Sequence, residues 1–277
     1  MSGRFDGKVA LVTGAARPRG IGRATAVRLA AEGADVACLD IARPYDDAPA
    51  HGVATADDLD ALVAEIEDMG RRAVALRADV SDADAVEAAV AAATDALGTV
   101  SLVANVAGGS GPGFGLGPLV ALPDAEFRRV FEVNVTGTWL VSKACASRMV
   151  AAGLHGRICN VSSQAGKKAW PMIGAYSAAK AAVISLTQAM AIELGPSGIA
   201  VNAVCPGTVD TELTNPNGMM RLAMGEQGFD EWIAREIPLG RLQTAEEIAA
   251  AICWLLDDDA VGVTGEAVNV SAGQTMV

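Results

Sequence analysis

Strand-like apolar runs alternate with helix-like stretches along nearly all of this chain, and that alternation limits the fold more than any other feature. "KVALVTG" (8–14) reads as strand, and "GIGRATAVRLAAEG" (20–33) as a helix stopped by Gly33. "ADVACLD" (34–40) is strand again, and "DDLDALVAEIEDMG" (57–70) has helical spacing up to Gly70. The pattern repeats as strand 71–80, helix 82–98 and strand 100–108, then a long helix over 123–152 and strand 156–163. Helix 175–194, strand 199–207, helix 244–256 and strand 266–270 complete it. Strands separated by single helices pair in parallel through right-handed crossovers. The expectation is therefore an α/β, doubly wound, Rossmann-like parallel sheet of about seven strands, with helices on both faces. No linker and no internal repeat interrupts it, so residues 1–277 read as a single domain. Two connections are long: residues 41–56, and residues 207–240, which read as a substrate lid.

Composition narrows the possible partners. Hydrophobic residues make up 51% of the chain, enough for a substantial core. No uncharged apolar run reaches the ~18 residues of a membrane span. The N-terminal stretch enters a strand at once, which predicts no export signal and a cytoplasmic protein. A net charge of −12 argues against nucleic acid or an anionic membrane as partner. Cys38, Cys145, Cys159, Cys205 and Cys253 include no C-x-x-C pair and read as reduced, buried thiols. His51 and His155 match no metal-ligand spacing, so no metal is expected. Neither stands in a motif that a serine hydrolase would need.

The first strand–helix turn, "TGAARPRGIG" (13–22), places Gly14, Gly20 and Gly22 where backbone can turn tightly and approach a ligand. The following helix offers its N-terminal N–H groups to a diphosphate. Asp40 ends the second strand. A carboxylate there can accept both adenosine ribose hydroxyls and repel a 2′-phosphate, which favours NAD over NADP. A strand-end Asp or a helix cap is the plainer alternative. Arg17, Arg19 and Arg43 pull the other way, since each could pair with a 2′-phosphate, and Arg17 or Arg19 equally with the diphosphate. Asp79 and Val80 end the third strand, where they could meet an adenine edge. "NVAG" (105–108) ends the fourth with small residues.

"AYSAAK" (175–180) puts Tyr176 and Lys180 at i and i+4 on one helix face. An unperturbed phenol, with a pKa of about 10, is a poor base near neutrality. Either the two form a helix surface pair, or the neighbouring ammonium, together with the positive nicotinamide of NAD⁺, favours phenolate and lowers the Tyr176 pKa so that it acts as a general acid/base.

At this point the sequence resembles the short-chain dehydrogenase/reductase family over almost its whole length. The resemblance rests on Thr13, Gly14, Gly20, Ile21 and Gly22, on Asp40, on Asp79-Val80 and on "NVAG". It continues in Asn134 of "VNVTG", "VSSQAG" (161–166), Tyr176-x-x-x-Lys180 and "PGTVDT" (206–211). It implies a catalytic set of Asn134, Ser163, Tyr176 and Lys180, with Ser162 in reserve. Ser163 would orient the reacting oxygen, Lys180 would bind the nicotinamide ribose, and Asn134 would hold a water linking Lys180 to solvent. Cofactor contacts would come from Gly14, Arg19, Gly20, Ile21, Gly22, Asp40, Ile41, Asp79, Val80, Asn105, Ala107 and Gly108. Tyr176, Lys180, Pro206, Gly207, Val209 and Thr211 would add to them. Ser163, Gln164 and Tyr176 would face the substrate. The implied activity is hydride transfer between NAD(H) and a secondary alcohol or ketone, apolar and including cyclic ones, by a homotetramer built through the two long helices. Two alternatives stand beside it: an NADP-dependent ketone reductase, and a non-catalytic NAD(H)-binding scaffold on the same fold. One departure is plain. Five residues, Ala15 to Arg19, separate Gly14 from G-I-G where the family usually has three.

Overall fold

The computed structural model describes residues 3–44, 53–215 and 218–277. Its strands are β1 (Val9–Thr13), β2 (Asp35–Asp40), β3 (Ala73–Arg77), β4 (Leu102–Asn105), β5 (Gly156–Val161), β6 (Ile199–Pro206) and β7 (Ala267–Val270). They form one sheet in the order β3-β2-β1-β4-β5-β6-β7, every pair parallel. The order reverses between β1 and β4, and the gap this leaves above their carboxyl ends is where such sheets bind ligands.

Helices α1 (Ile21–Ala31), α2 (Ala56–Asp68) and α3 (Ala83–Leu97) follow the first three strands. Next come α4 (Asp124–Phe131) and α5 (Gly137–Ala151), then α6 (Gly174–Leu194), α7 (Met219–Glu236) and α8 (Ala245–Leu256). One face of the sheet packs against α1, α2 and α8 through Leu29, Leu62, Ile66, Ile248 and Ile252. The other packs against α3, α4–α5 and α6 through Val90, Leu97, Val141, Met149 and Ala179. β1 and β2 are buried along their whole length, which explains their unbroken apolar runs. All five cysteines are buried free thiols inside these layers.

Caps explain where several helices start. Thr55 and Asp58 form a capping box on α2, Thr244 and Glu247 form one on α8, and the Asp82 carboxylate caps α3. α1 begins instead at Gly20, with no side chain on its first N–H groups and no acid in its first turn. Those donors are left to a ligand.

The single helix expected over 123–152 is two segments joined by a π-turn at Glu132–Thr136. Such a turn adds one residue and disturbs the carbonyl ladder. The Asn134 side chain compensates, its Nδ2 donating to the Val130 carbonyl at 2.9 Å. Deeper in the same layer, Asn105 on β4 donates to Ser142 on α5 (2.8 Å) and to Asn160 on β5 (2.9 Å). Asn160 in turn donates to Thr187 on α6 (2.9 Å). This buried chain of side chains fixes α5 and α6 against the middle of the sheet.

Of the long connections, residues 45–52 lie outside the described residues, as does His51. In the 207–240 stretch, α7 is broken at Gly225, where φ is 71°. Its second half packs Phe229, Ile233 and Ile237 into a small core of their own with Met220, Trp232, Leu242 and Ala272. Leu222 and Met224, before the break, are exposed. Among the described residues no helix is long and apolar enough to cross a membrane.

Candidate active site

A groove opens above the β1/β4 reversal. Its floor is Gly14, Gly20, Ile21 and Gly22, its far wall Leu39, Asp40 and Ile41, and its near wall Val80, Val106, Ala107 and Gly108. Arg17, Val53, Ala54, Phe114, Val133, Thr211 and Leu213 complete it. The glycines matter sterically. A Cβ on Gly22 would lie 2.1 Å from the Gly14 carbonyl oxygen, and one on Gly14, at φ 63°, would lie 2.9 Å from the Ala107 Cα. Thr13 supports this approach, its hydroxyl accepting from the N–H groups of Val106 (2.9 Å) and Ala107 (3.0 Å). Uncapped N–H groups at the start of α1, a glycine floor and the nearby Arg17 form a cradle that fits a dinucleotide diphosphate.

Beside the groove, the β5–α6 turn is locked onto α6. The Ser162 hydroxyl donates to the Lys180 carbonyl (2.8 Å), and a Cβ on Gly166 would meet the Lys180 backbone at 2.7 Å. That close packing commits Ser162 to structure and sets the next residue, Ser163, beside the Tyr176 phenol, its Oγ accepting from Ala165 N at 3.1 Å. The Lys180 ammonium lies 5.5 Å from the centre of the Tyr176 ring and donates to the Val161 carbonyl (2.8 Å). Gly108 joins groove to side chains: a Cβ there would come within 2.5 Å of Asn134 Oδ1 and 3.2 Å of Lys180 Nζ. Asn134 pairs with the Gly-rich flap of residues 108–118, its Oδ1 accepting from Gly109 N and its Nδ2 donating to Gly109 O, both at 3.0 Å. Its own carbonyl accepts the Thr138 hydroxyl (2.8 Å). Asn134 thus holds the flap and the π-turn in place.

Comparison with known proteins agrees with this geometry. A family model described as enoyl-(acyl carrier protein) reductase matches residues 14–275. An NAD-dependent oxidoreductase of Mycobacterium tuberculosis, named as uncharacterised, is 37% identical, covering 98% of this chain and 97% of its own. A sorbitol dehydrogenase of Cereibacter sphaeroides is 35% identical, with 99% of each chain covered. The crystal structure of a carveol dehydrogenase from Mycobacterium avium in complex with NAD superposes with a TM-score of 0.88 at 34% identity. It covers 98% of this chain and 99% of that one. The chain belongs to the short-chain dehydrogenase/reductase family.

Within this dehydrogenase/reductase frame, ten of the expected cofactor residues line the groove: Gly14, Gly20, Ile21, Gly22, Asp40, Ile41, Val80, Ala107, Gly108 and Thr211. Others are engaged elsewhere. Arg19 turns away from the groove to Asp210 (3.2 Å), and Arg17 stands in the groove instead. Arg43 donates to the Pro44 carbonyl (3.3 Å). The Asp79 carboxylate is taken by the Ser81 hydroxyl (2.6 Å) and Arg129 (3.4 Å), and Asn105 by the buried network. Pro206 pairs with β7, the Gly207 N–H donates to Val270 O and Gln243 Oε1, and Val209 is core. Gln164 accepts from Thr275 Oγ1 (3.1 Å), which ties it to the C-terminal tail rather than to a substrate pocket. Asp40 has a second task, accepting from Ala16 N and Ala42 N, both at 3.0 Å. Thr13, Val53, Ala54 and Val133 were not expected at the site. Only the strand-end position of Thr13 signals such a role.

Burial dominates the protonation of both Tyr176 and Lys180. Burial pushes the Tyr176 phenol up to about 12, opposed by the Ser163 hydrogen bond, with Cys205 adding to the rise. Tyr176 as a whole is only partly buried. Lys180 does not lower Tyr176, because its ammonium sits over the ring and is itself desolvated, to about 8. The buried amine holds its proton less firmly in the folded chain than at its ordinary value of 10.5. Between about pH 8 and pH 10 the unfolded chain therefore binds more protons at this group, and its contribution to stability rises with pH. The unfolding free energy of the wild type minus that of Lys180→Met should grow over this interval by up to about 3 kcal/mol. Chemical denaturation at stepped pH measures it, and a flat difference would contradict the burial of a titrating amine.

Proposed function

We propose that this protein is an NAD-dependent dehydrogenase and ketone reductase for secondary alcohols and ketones, in which Tyr176 exchanges the hydroxyl proton. The observation that carries the reading is the meeting of Asn134 and Lys180 at Gly108, on the edge of a groove suited to a dinucleotide, with the Tyr176 ring against the same ammonium. Bound NAD⁺ supplies the hydride acceptor and a positive charge beside the phenol. Tyr176 takes the alcohol's hydroxyl proton during oxidation and returns it during reduction. Ser163 orients the reacting oxygen by hydrogen bonding, and Lys180 holds the ribose. Asn134 keeps the Gly109 flap registered against Lys180. Tyr176→Phe keeps the ring and removes the proton carrier. It should lower kcat by at least ~10²-fold with NAD binding largely kept. Steady-state turnover and NAD titration measure both, and near-normal turnover would end this assignment.

NAD rather than NADP follows from Asp40 on the groove wall, whose charge costs a nearby 2′-phosphate on the order of a few kcal/mol. Arg17, also in the groove, is the one feature favouring NADP. The wild type should favour NAD in kcat/KM, and Asp40→Asn should narrow that advantage by at least ~10-fold. A wild type that prefers NADP would hand the choice to Arg17.

The substrate is apolar, cyclic alcohols included. Leu116, Leu119, Val120 and Met172 are exposed beside the start of α6, where Gly117 N donates to Met172 O (2.8 Å) and Leu119 lies against Gly174. Such a rim suits an apolar alcohol, as in the carveol dehydrogenase of M. avium, better than a sugar alcohol such as sorbitol. Residues 207–240, hinged at Gly225, cover the substrate, and residues 1–277 act as one catalytic unit. Four copies assemble through α4–α5 and α6, where Phe127, Trp139, Val150 and Ile192 are exposed. Light scattering at micromolar concentration should return a tetramer mass, and a monomer mass would remove this part of the reading.

A further inference from the structure

Arg19 is the residue whose place departs furthest from the site chemistry. It precedes Gly20, which lines the groove, yet its guanidinium leaves the groove and crosses to the opposite wall. There it pairs with Asp210 Oδ1 at 3.2 Å and donates to the Asn215 carbonyl at 3.4 Å. The cluster continues without a gap. Asn215 Nδ2 donates to the same Asp210 oxygen (2.9 Å), and Asn215 N donates to the Thr211 carbonyl (2.8 Å). Asn215 Oδ1 accepts from Met220 N (2.9 Å) in the first turn of α7, which has no other side-chain cap. Thr211, next to Asp210, lines the groove. One arginine therefore stitches the start of α1 on one side to the root of the Thr211–Met224 stretch on the other.

We propose that Arg19 is a positioning residue, whose bridge to Asp210 and Asn215 couples occupancy of the nucleotide groove to ordering of the stretch that covers the substrate. This rests on the reading above, in which NAD fills the groove and the 207–240 segment covers the substrate. The physical basis is local. A dinucleotide on the uncapped N–H groups of α1 fixes the 14–20 turn, and with it the backbone from which Arg19 reaches out. Fixing that backbone lowers the entropy lost when the bridge forms, so the root of α7 is held in one arrangement. Both side chains of the ion pair are nearly half exposed, 44% for Arg19 and 47% for Asp210, so the bridge is weak enough to open. Linkage then requires that removing it weakens NAD binding modestly, roughly twofold to fivefold, the scale of an exposed ion pair.

Hydrogen exchange with and without NAD, together with calorimetric NAD titration, tests this on the wild type, Arg19→Gln, Arg19→Lys, Asp210→Asn and the charge-swapped pair R19D/D210R. In the wild type, NAD should slow exchange at 13–22 and 105–108, and also at 211–215 and 218–224. Arg19→Gln and Asp210→Asn should each lose at least half of the slowing at 211–215 and 218–224 while keeping it at 13–22. Arg19→Lys and the charge swap should regain it, which a merely structural defect would not allow. Slowing at 13–22 without any at 218–224 in the wild type would overturn the coupling and leave the NAD site standing. No slowing at either place would overturn both. A rise in the NAD dissociation constant of more than ~10-fold in Arg19→Gln, with Asp210→Asn near wild type, would make Arg19 a diphosphate ligand and overturn the bridge. Should Arg19→Gln fail to fold, Asp210→Asn and the charge swap decide the same question.

Discussion

Everything functional in this molecule depends on how closely the carboxyl ends of β1 and β4 approach each other. No side chain fits between Gly14 and the Ala107 backbone, and the Thr13 hydroxyl holds the gap by accepting from two successive N–H groups of the β4 turn. The closeness has two consequences. Below it, the α1 N-terminus and its open donors face a narrow channel instead of solvent. Beyond it, Gly108 brings the channel's edge to Lys180 and Asn134. A larger residue at Gly14, Gly22 or Gly108 would separate parts that act only when adjacent. The sequence spends conformational freedom at these points, and the buried network of Asn105, Ser142, Asn160 and Thr187 restores rigidity directly beneath.

Much of this was legible in the residues alone. The parallel sheet between helix layers, the glycine floor and Asp40 on the wall follow from periodicity and ordered spacing, which are local properties of the chain. What could not be read is non-local. A polar residue at a strand end looks the same whether its partner is a cofactor or the protein itself. Asp79 meets Ser81 and Arg129, Asn105 meets the α5 and α6 layer, and Gln164 meets Thr275, more than a hundred residues away. The partner of the Arg19 guanidinium is hidden in the same way, since only the fold reveals Asp210 as its neighbour. The π-turn at Asn134 escaped because one added residue in a long amphipathic helix leaves the apolar pattern almost intact.

Protonation shows a different kind of illegibility. Spacing places Tyr176 and Lys180 on one helix face, and two isolated groups at that spacing would lower the phenol. Desolvation is a property of everything packed around them, and it acts on both groups in opposite directions. It disfavours phenolate at Tyr176 and ammonium at Lys180, so both are biased toward their neutral forms. Near neutral pH the phenol is uncharged and the ammonium holds its proton only loosely. The pair is correspondingly responsive, because in a dry site a single added charge acts with little screening.

That responsiveness fits the rest of the architecture. The chain invests its strongest constraints, close backbone contact and buried amide networks, in the floor and the catalytic side chains. It leaves the cover to weak ones: an exposed ion pair from Arg19, one Asn cap on α7 and a glycine break at 225. Had the cover been fixed as firmly as the floor, a water-excluding site would be closed to its own substrate. Had the floor been as loose as the cover, the phenol and the ammonium would be solvated and return to their ordinary proton affinities, losing the bias that burial gives them. Under the proposed function, this division keeps Tyr176 and Lys180 in a dry site where the charge of a bound cofactor acts with little screening.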